Sequence, residues 1–147
     1  MGEAKWLDGY SGQTTDELIA LEGEYRTDSL VLAFEQALMA KGEVTEEERV
    51  VLAVEALERE VNNGGYGQLF ENAPEQVPDL VAALKAIGCE PVADLTQEAI
   101  KAATVDEDDE RDDLLSSCDE RYYAVAGDLA GPLLSYIKAH RKNIALG

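Results

Sequence analysis

The chain has 147 residues, 46% of them hydrophobic, and sets 31 Asp+Glu against 12 Lys+Arg for a formal net charge of -19. That is enough apolar material for a single domain, residues 1–147, to bury a core without a metal or disulfide staple. The acid surplus argues against direct nucleic-acid binding through phosphate neutralisation and against an anionic membrane surface, and it favours a cationic partner.

Residues 1–14 show no period and read as a loose N-terminal arm carrying Trp6 and Tyr10. Thr15 reads as the cap of a first helix, with Leu18, Leu21 and Tyr25 at helical spacing. A second helix starts at Thr27 or Asp28, turns Leu30, Val31, Phe34, Leu38 and Met39 inward, and stops at Gly42 as a C′ glycine. Thr45-Glu46-Glu47-Glu48 is a capping box, with Thr45 expected to be the costlier partner to remove. Val50, Val54, Leu57 and Val61 form the inward stripe of that third helix, and Glu55 and Arg59 pair on its wet side. It is expected to end at Asn62-Asn63-Gly64-Gly65, with Gly64 or Gly65 at positive φ, before a short turn over Tyr66–Phe70.

Asn72 then reads as a cap, with Pro74 in the first turn of a helix that buries Val77, Leu80 or Val81, Leu84 and Ile87 and closes at Gly88. Pro91–Ala103 predicts a weaker helix on Leu95, Ala99, Ile100 and Ala103. The acidic run Asp106–Asp113 leads into a long helix with Leu114, Leu115, Cys118, Tyr122, Val125 and Leu129, broken by Gly131-Pro132. A last helix carries Leu133 or Leu134 and Ile137, then Lys138, His140, Arg141 and Lys142. Nothing alternates with period two over strand length, so the expected class is all-α, a single compact domain of about six to eight helices.

Met1–Tyr10 has charges where a leader peptide has its apolar core, and Trp6 stands where acylation of Gly2 would need Ser or Thr. No apolar run reaches the ~18 residues of a membrane helix. Cys89 and Cys118 follow no metal or redox spacing and read as reduced thiols of a cytoplasmic protein.

Catalytic equipment is sparse. His140 is the single histidine and reads as an exposed charge at a helix C-terminus. There is no nucleophile elbow, phosphate loop or zinc pattern, so no catalytic residue, cofactor or metal is assigned. Read from Asp108, the acid run fails as a calcium loop, because Asp113 stands where the loop needs Gly and Asp119 where it needs Glu. Glu58 and Glu60 keep one alternative open, a small enzyme using paired carboxylates. The competing reading of the Asn-Asn-Gly-Gly turn beside them is architectural: it closes a helix, and its amides bond free backbone groups.

Val51–Phe70, VLAVEALEREVNNGGYGQLF, resembles the signature of a bacterial domain-of-unknown-function family that takes its name from a DNA-mimic protein. The matching positions are Glu58, Glu60, Val61, Asn62, Asn63, Gly64, Gly65, Tyr66, Gln68 and Phe70, followed by Asn72. Asp119–Tyr123 with Tyr136–His140, and Gly12–Leu38, carry further likeness. The resemblance implies an all-helical cytosolic domain, and an acidic protein that occupies the DNA-binding face of a regulator.

Asp106, Glu107, Asp108, Asp109, Glu110, Asp112 and Asp113 are then the expected partner-binding acids, with Glu46 and Glu47 in a second cluster. Carboxylates four residues apart lie about 6 Å apart along a helix, a grain similar to the ~3.4 Å phosphate repeat of a DNA strand. Such a face meets Lys and Arg while offering no bases to read. The alternatives are a solvated acidic surface, adaptation to salt included, and an immunity-type or other protein-binding module working through the Asn62–Gly65 turn. The partner expected is a basic protein of the DNA-binding regulator kind; a homodimer is left open.

Overall fold

Two capping boxes set the starts of the first and third helices. The structure, a computed structural model, describes residues 4–146, so Gly2 lies outside it. Helix α1 (Thr15–Ile19) begins one residue earlier than the spacing suggested: Thr14 accepts the Glu17 amide at 3.2 Å and Glu17 accepts the Thr14 amide at 2.9 Å. Thr15 is instead buried, donating to the Ile144 carbonyl at 2.5 Å and accepting the Leu146 amide at 3.1 Å. Leu21 and Tyr25 fall in the turns after α1, because the helix closes at Ala20.

Helix α2 (Thr27–Met39) buries Leu30, Val31, Phe34 and Leu38 as its period requires. Met39, expected inward, is 65% exposed, since one residue beyond Leu38 rotates it about 100° off the stripe. Gly42 takes no left-handed conformation; Ala40 closes α2 through amide bonds to Ala37 and Leu38. The arm before α1 lies along this pair: Lys5 exchanges backbone bonds with Glu24 and Arg26, Leu7 donates to Ser29 Oγ at 3.1 Å, and Tyr10 donates to Gln36 at 2.8 Å.

Helix α3 (Glu46–Asn72) starts at the Thr45 box and buries Val50, Val54, Leu57 and Val61. Asn72 is its last residue rather than a cap; a 3-10 turn (Pro74–Gln76) precedes α4 (Val77–Ala86), which Gly88 closes at φ 82°. Helix α5 (Glu90–Ala102) follows. Helix α6 (Asp108–Ala126) is capped by Glu107, whose carboxylate accepts the Asp109 and Glu110 amides. It ends at Gly127, φ 52°, so Leu129 lies beyond it. The expected break at Gly131-Pro132 falls inside the first turn of α7 (Ala130–Ala139), where proline's missing N–H costs nothing. These seven helices, without a strand among the described residues, make an all-α domain. No described helix is long and apolar enough to cross a membrane.

Helix α3 is the hub. It packs on α2, α4, α6 and α7, while α5 joins α4 to α6 and α2 joins α1 to α7. Its start is tied to Lys41 and to the C-terminal segment through Glu48, which is fully buried. One Glu48 oxygen accepts the Thr45 amide at 2.9 Å; the other accepts Lys41 Nζ at 2.6 Å and the Ala145 amide at 2.9 Å. Burial raises its pKa, but the Lys41 ammonium and the two amides outweigh that and hold the carboxyl below its ordinary range.

Tertiary burial reverses the ranking expected from the box alone. Thr45→Ala should cost ~0.5–2 kcal/mol, whereas Glu48→Ala leaves two amides and the half-buried Lys41 ammonium without their acceptor and should cost more, about 2–3 kcal/mol. Denaturant midpoints of the two variants and their double measure both the order and the coupling. Because the folded pKa of Glu48 is depressed, its contribution is complete above the unfolded value of about 4.3 and is lost as pH falls through the folded one. The wild type should therefore lose more stability between pH 5 and 3 than Glu48→Gln does.

Candidate functional site

The helical geometry of α3 stops at the Asn-Asn-Gly-Gly block, as expected, but the chain kinks there directly into a second helical segment. Gly64 (φ -156°, ψ 15°) and Gly65 (φ 82°, ψ -178°) leave helical geometry, and helix resumes from Tyr66 to Asn72, where a turn was expected. The restarted segment needs an acceptor for its first amide, and Asp119 of α6 supplies one to Tyr66 at 2.8 Å. Gly65 is the residue at positive φ, and a Cβ there would overlap the Asp119 carboxylate. The bend turns Tyr66 into the core, edge-on to Tyr122 with ring centroids 5.9 Å apart, its hydroxyl 2.9 Å from Thr96 Oγ1.

The other motif residues bond to one another. Asn62 donates to the Glu58 carbonyl at 2.7 Å. Glu60 accepts Gln68 and Asn72, each at 3.0 Å, and Arg59 at 3.2 Å. Those amides, Gln68 foremost, hold the Glu60 carboxyl below its usual range. Glu58 accepts the Tyr122 hydroxyl; burial raises its pKa and this bond opposes the rise. Glu60 and Asn72 border a shallow cavity of about 230 Å³, but their polar atoms are already committed. Asn63 is exposed. Asp119, which completes the bend, carries no signal in the motif because it lies on another helix.

Arg59 does not pair with Glu55. It reaches across to α2, where both oxygens of the buried Glu35 accept it at 2.7 Å. Glu55 is half-buried rather than on the wet side. Burial first, then the Glu35 and Glu58 charges, push its carboxyl up to about 8, against the pull of Arg59.

The seven acids of 106–113 are all exposed, and Arg111 between them bonds Asp108 at 2.6 Å and the Val105 carbonyl at 3.0 Å. Helix α6 is anchored by its later part: Asp119 on Tyr66, Tyr122 on Glu58, and Arg121 on Glu98 at 2.6 Å. Of its side chains only Cys118 and Tyr122 are buried, so Leu114 and Val125, expected inward, stay 41% and 37% exposed.

Glu46 and Glu47 lie elsewhere, on the rim of a cleft of about 510 Å³ between the start of α3, α4 and the end of α7. Arg49, Asp79, Tyr136 and His140 share its lining. His140 caps α7 as expected but is half-buried rather than exposed, because its ring stacks on Tyr136 with centroids 4.2 Å apart. Sequence reading missed this cleft, since its walls come from three helices far apart in the chain. Among the described residues no group of His, Cys, Asp and Glu could hold a metal ion.

The family model described as DMP19-like protein matches residues 42–140, about two thirds of the chain, from just before the α3 cap to the α7 cap. The likeness read over Gly12–Leu38 lies outside that match. No curated protein and no solved structure matched the chain.

Gly65→Ala should destabilise by ~1–2 kcal/mol from the left-handed backbone alone, and further by displacing Asp119. Gly64→Ala meets only the movable Gln68 side chain and should cost less. Thermal melts of the two variants give the ranking. Glu55 supplies a signed pH effect. Its folded pKa is raised, so the folded state binds the extra proton between about 4.3 and 8, and stability falls as pH rises through that window. Glu55→Gln should flatten the decline, and urea midpoints at pH 5 and pH 8 should converge.

Proposed function

The chain belongs to the DMP19-like family, and on that basis we propose that it is an acidic, non-enzymatic interaction protein whose α6 acids cover the DNA-reading face of a basic regulator. The family's namesake is a DNA-mimic protein. The observation that carries the reading to α6 is the placement of the acids: all seven between Asp106 and Asp113 are exposed, and Arg111 is the only cation among them. Asp108 with Asp112, and Asp109 with Asp113, stand four residues apart and give charge at about 6 Å intervals along the axis. The helix dipole at the α6 N-terminus offsets part of their mutual repulsion, which lets the fold carry so dense a cluster.

The turn-centred module and the Glu58/Glu60 enzyme draw less support. Glu60, Gln68, Asn72 and Asn62 are engaged with one another or with backbone, and Glu58 is engaged with Tyr122.

The test spares the two acids that work for the fold. Glu107 caps α6 and Asp108 holds Arg111. Asp106, Asp109, Asp112 and Asp113 are changed to Asn together, and a basic DNA-binding protein captured from the source by wild type is the partner. Wild type should displace that protein's DNA. The four-site variant should associate ~10-fold more slowly at low salt, lose most of its salt dependence, and fail to displace. Unchanged displacement by a folded four-site variant would overturn the assignment to α6.

A further inference from the structure

The cleft between α3, α4 and α7 gathers small apolar, aromatic and charged side chains from three helices. Its floor is Val50 with Ala82, Ala83 and Ala86, a shelf of small side chains that leaves room above it. Tyr136 and His140, stacked together, line it from α7, and Glu46, Glu47 and Asp79 bring three carboxylates to its rim. Among the described residues none of those three carboxylates enters an ion pair or a side-chain hydrogen bond. Arg49, in the same lining, has no ion pair among the described residues, although it stands on α3 three residues from Glu46.

We propose that this cleft receives one arginine or lysine side chain of a partner protein. The surface matches such a side chain part by part. An alkyl stem lies on the alanine shelf, which removes apolar area from water on both sides. The cationic head meets three carboxylates against one guanidinium. The Tyr136 hydroxyl titrates above its ordinary value, from burial first and then from the nearby charges of Glu47 and Glu46. An anionic side chain would meet the three carboxylates, and a purely apolar one would strip water from them without replacing it. About 510 Å³ is room enough for one long side chain.

The inference rests on the reading that the partner is basic, and adds a second docking point away from α6. The probe is N-acetyl-arginine amide, titrated into isotope-labelled full-length protein and followed by amide shifts. Saturable shifts are expected at Ala82, Ala83, Ala86, Tyr136 and His140, with a Kd on the order of millimolar for so small a ligand. The neutral isostere N-acetyl-citrulline amide should not saturate the same shifts. The double variant Glu47→Gln/Asp79→Asn should weaken the arginine probe at least fivefold, and Arg49→Gln should tighten it about threefold by removing the one opposing charge. The residues changed are not core residues, and a melting curve checks that each variant folds.

Equal binding of the citrulline probe, shifts confined to α6, or weaker binding in Arg49→Gln would each overturn the assignment. Failure here is separable from failure of the α6 reading. If the arginine probe fills the cleft while wild type displaces no DNA from any basic protein, the cleft stands and mimicry falls. If wild type displaces DNA but the arginine probe leaves the cleft resonances unmoved, mimicry stands and the cleft proposal falls.

Discussion

The hydrogen bond from the Tyr66 amide to Asp119 is the constraint on which the rest of the molecule turns. Helical geometry fails at Gly64 and Gly65 and resumes at Tyr66. The break exposes a new helix N-terminus inside the protein, where an unpartnered amide would be costly. Asp119 satisfies it from α6 and thereby fixes where α6 sits. Tyr122, one turn further on, then reaches Glu58, and Tyr66 fills the space between α3, α5 and α6.

This anchoring divides α6 into two halves with different roles. The later half spends its polar groups on the fold, through Asp119, Arg121 and Tyr122. The earlier half is held by its cap and by Arg111, so its acids stay in water. Rigid support at one end and free charge at the other is an arrangement suited to presenting carboxylates to a partner, because the helix needs no reordering when it binds.

Charge inside the domain follows a different rule. Glu35, buried, is matched by Arg59, and Glu48, buried, by Lys41, with two backbone amides besides at Glu48. Glu55 has no such match, since its i,i+4 neighbour Arg59 is taken by Glu35, and its raised pKa is the consequence. Exposed carboxylates without an ion pair include those at the start of α6 and those on the rim of the α3–α4–α7 cleft. Both places are left to water or to a partner.

The sequence by itself determined the class of fold, most of the buried stripes and the Thr45 box, because each rests on residues within one or two helical turns. Leu30, Val31, Phe34 and Leu38, like Val50, Val54, Leu57 and Val61, are inward for reasons of period alone. It also marked Gly64 and Gly65 as the place where helical geometry fails, since two successive glycines lack the side chains that stabilise it. Whether the chain would stop there or bend was beyond local reasoning, because the deciding acceptor, Asp119, is contributed by another helix. The same holds for Glu48, whose weight comes from Lys41 and the Ala145 amide, and for Arg59, which prefers a partner on α2 to one on its own helix. The acids of 106–113 were legible because exposed charge is visible in composition. The cleft was not, because Glu47, Asp79 and Tyr136 share no spacing, and only the packing of three helices brings them together.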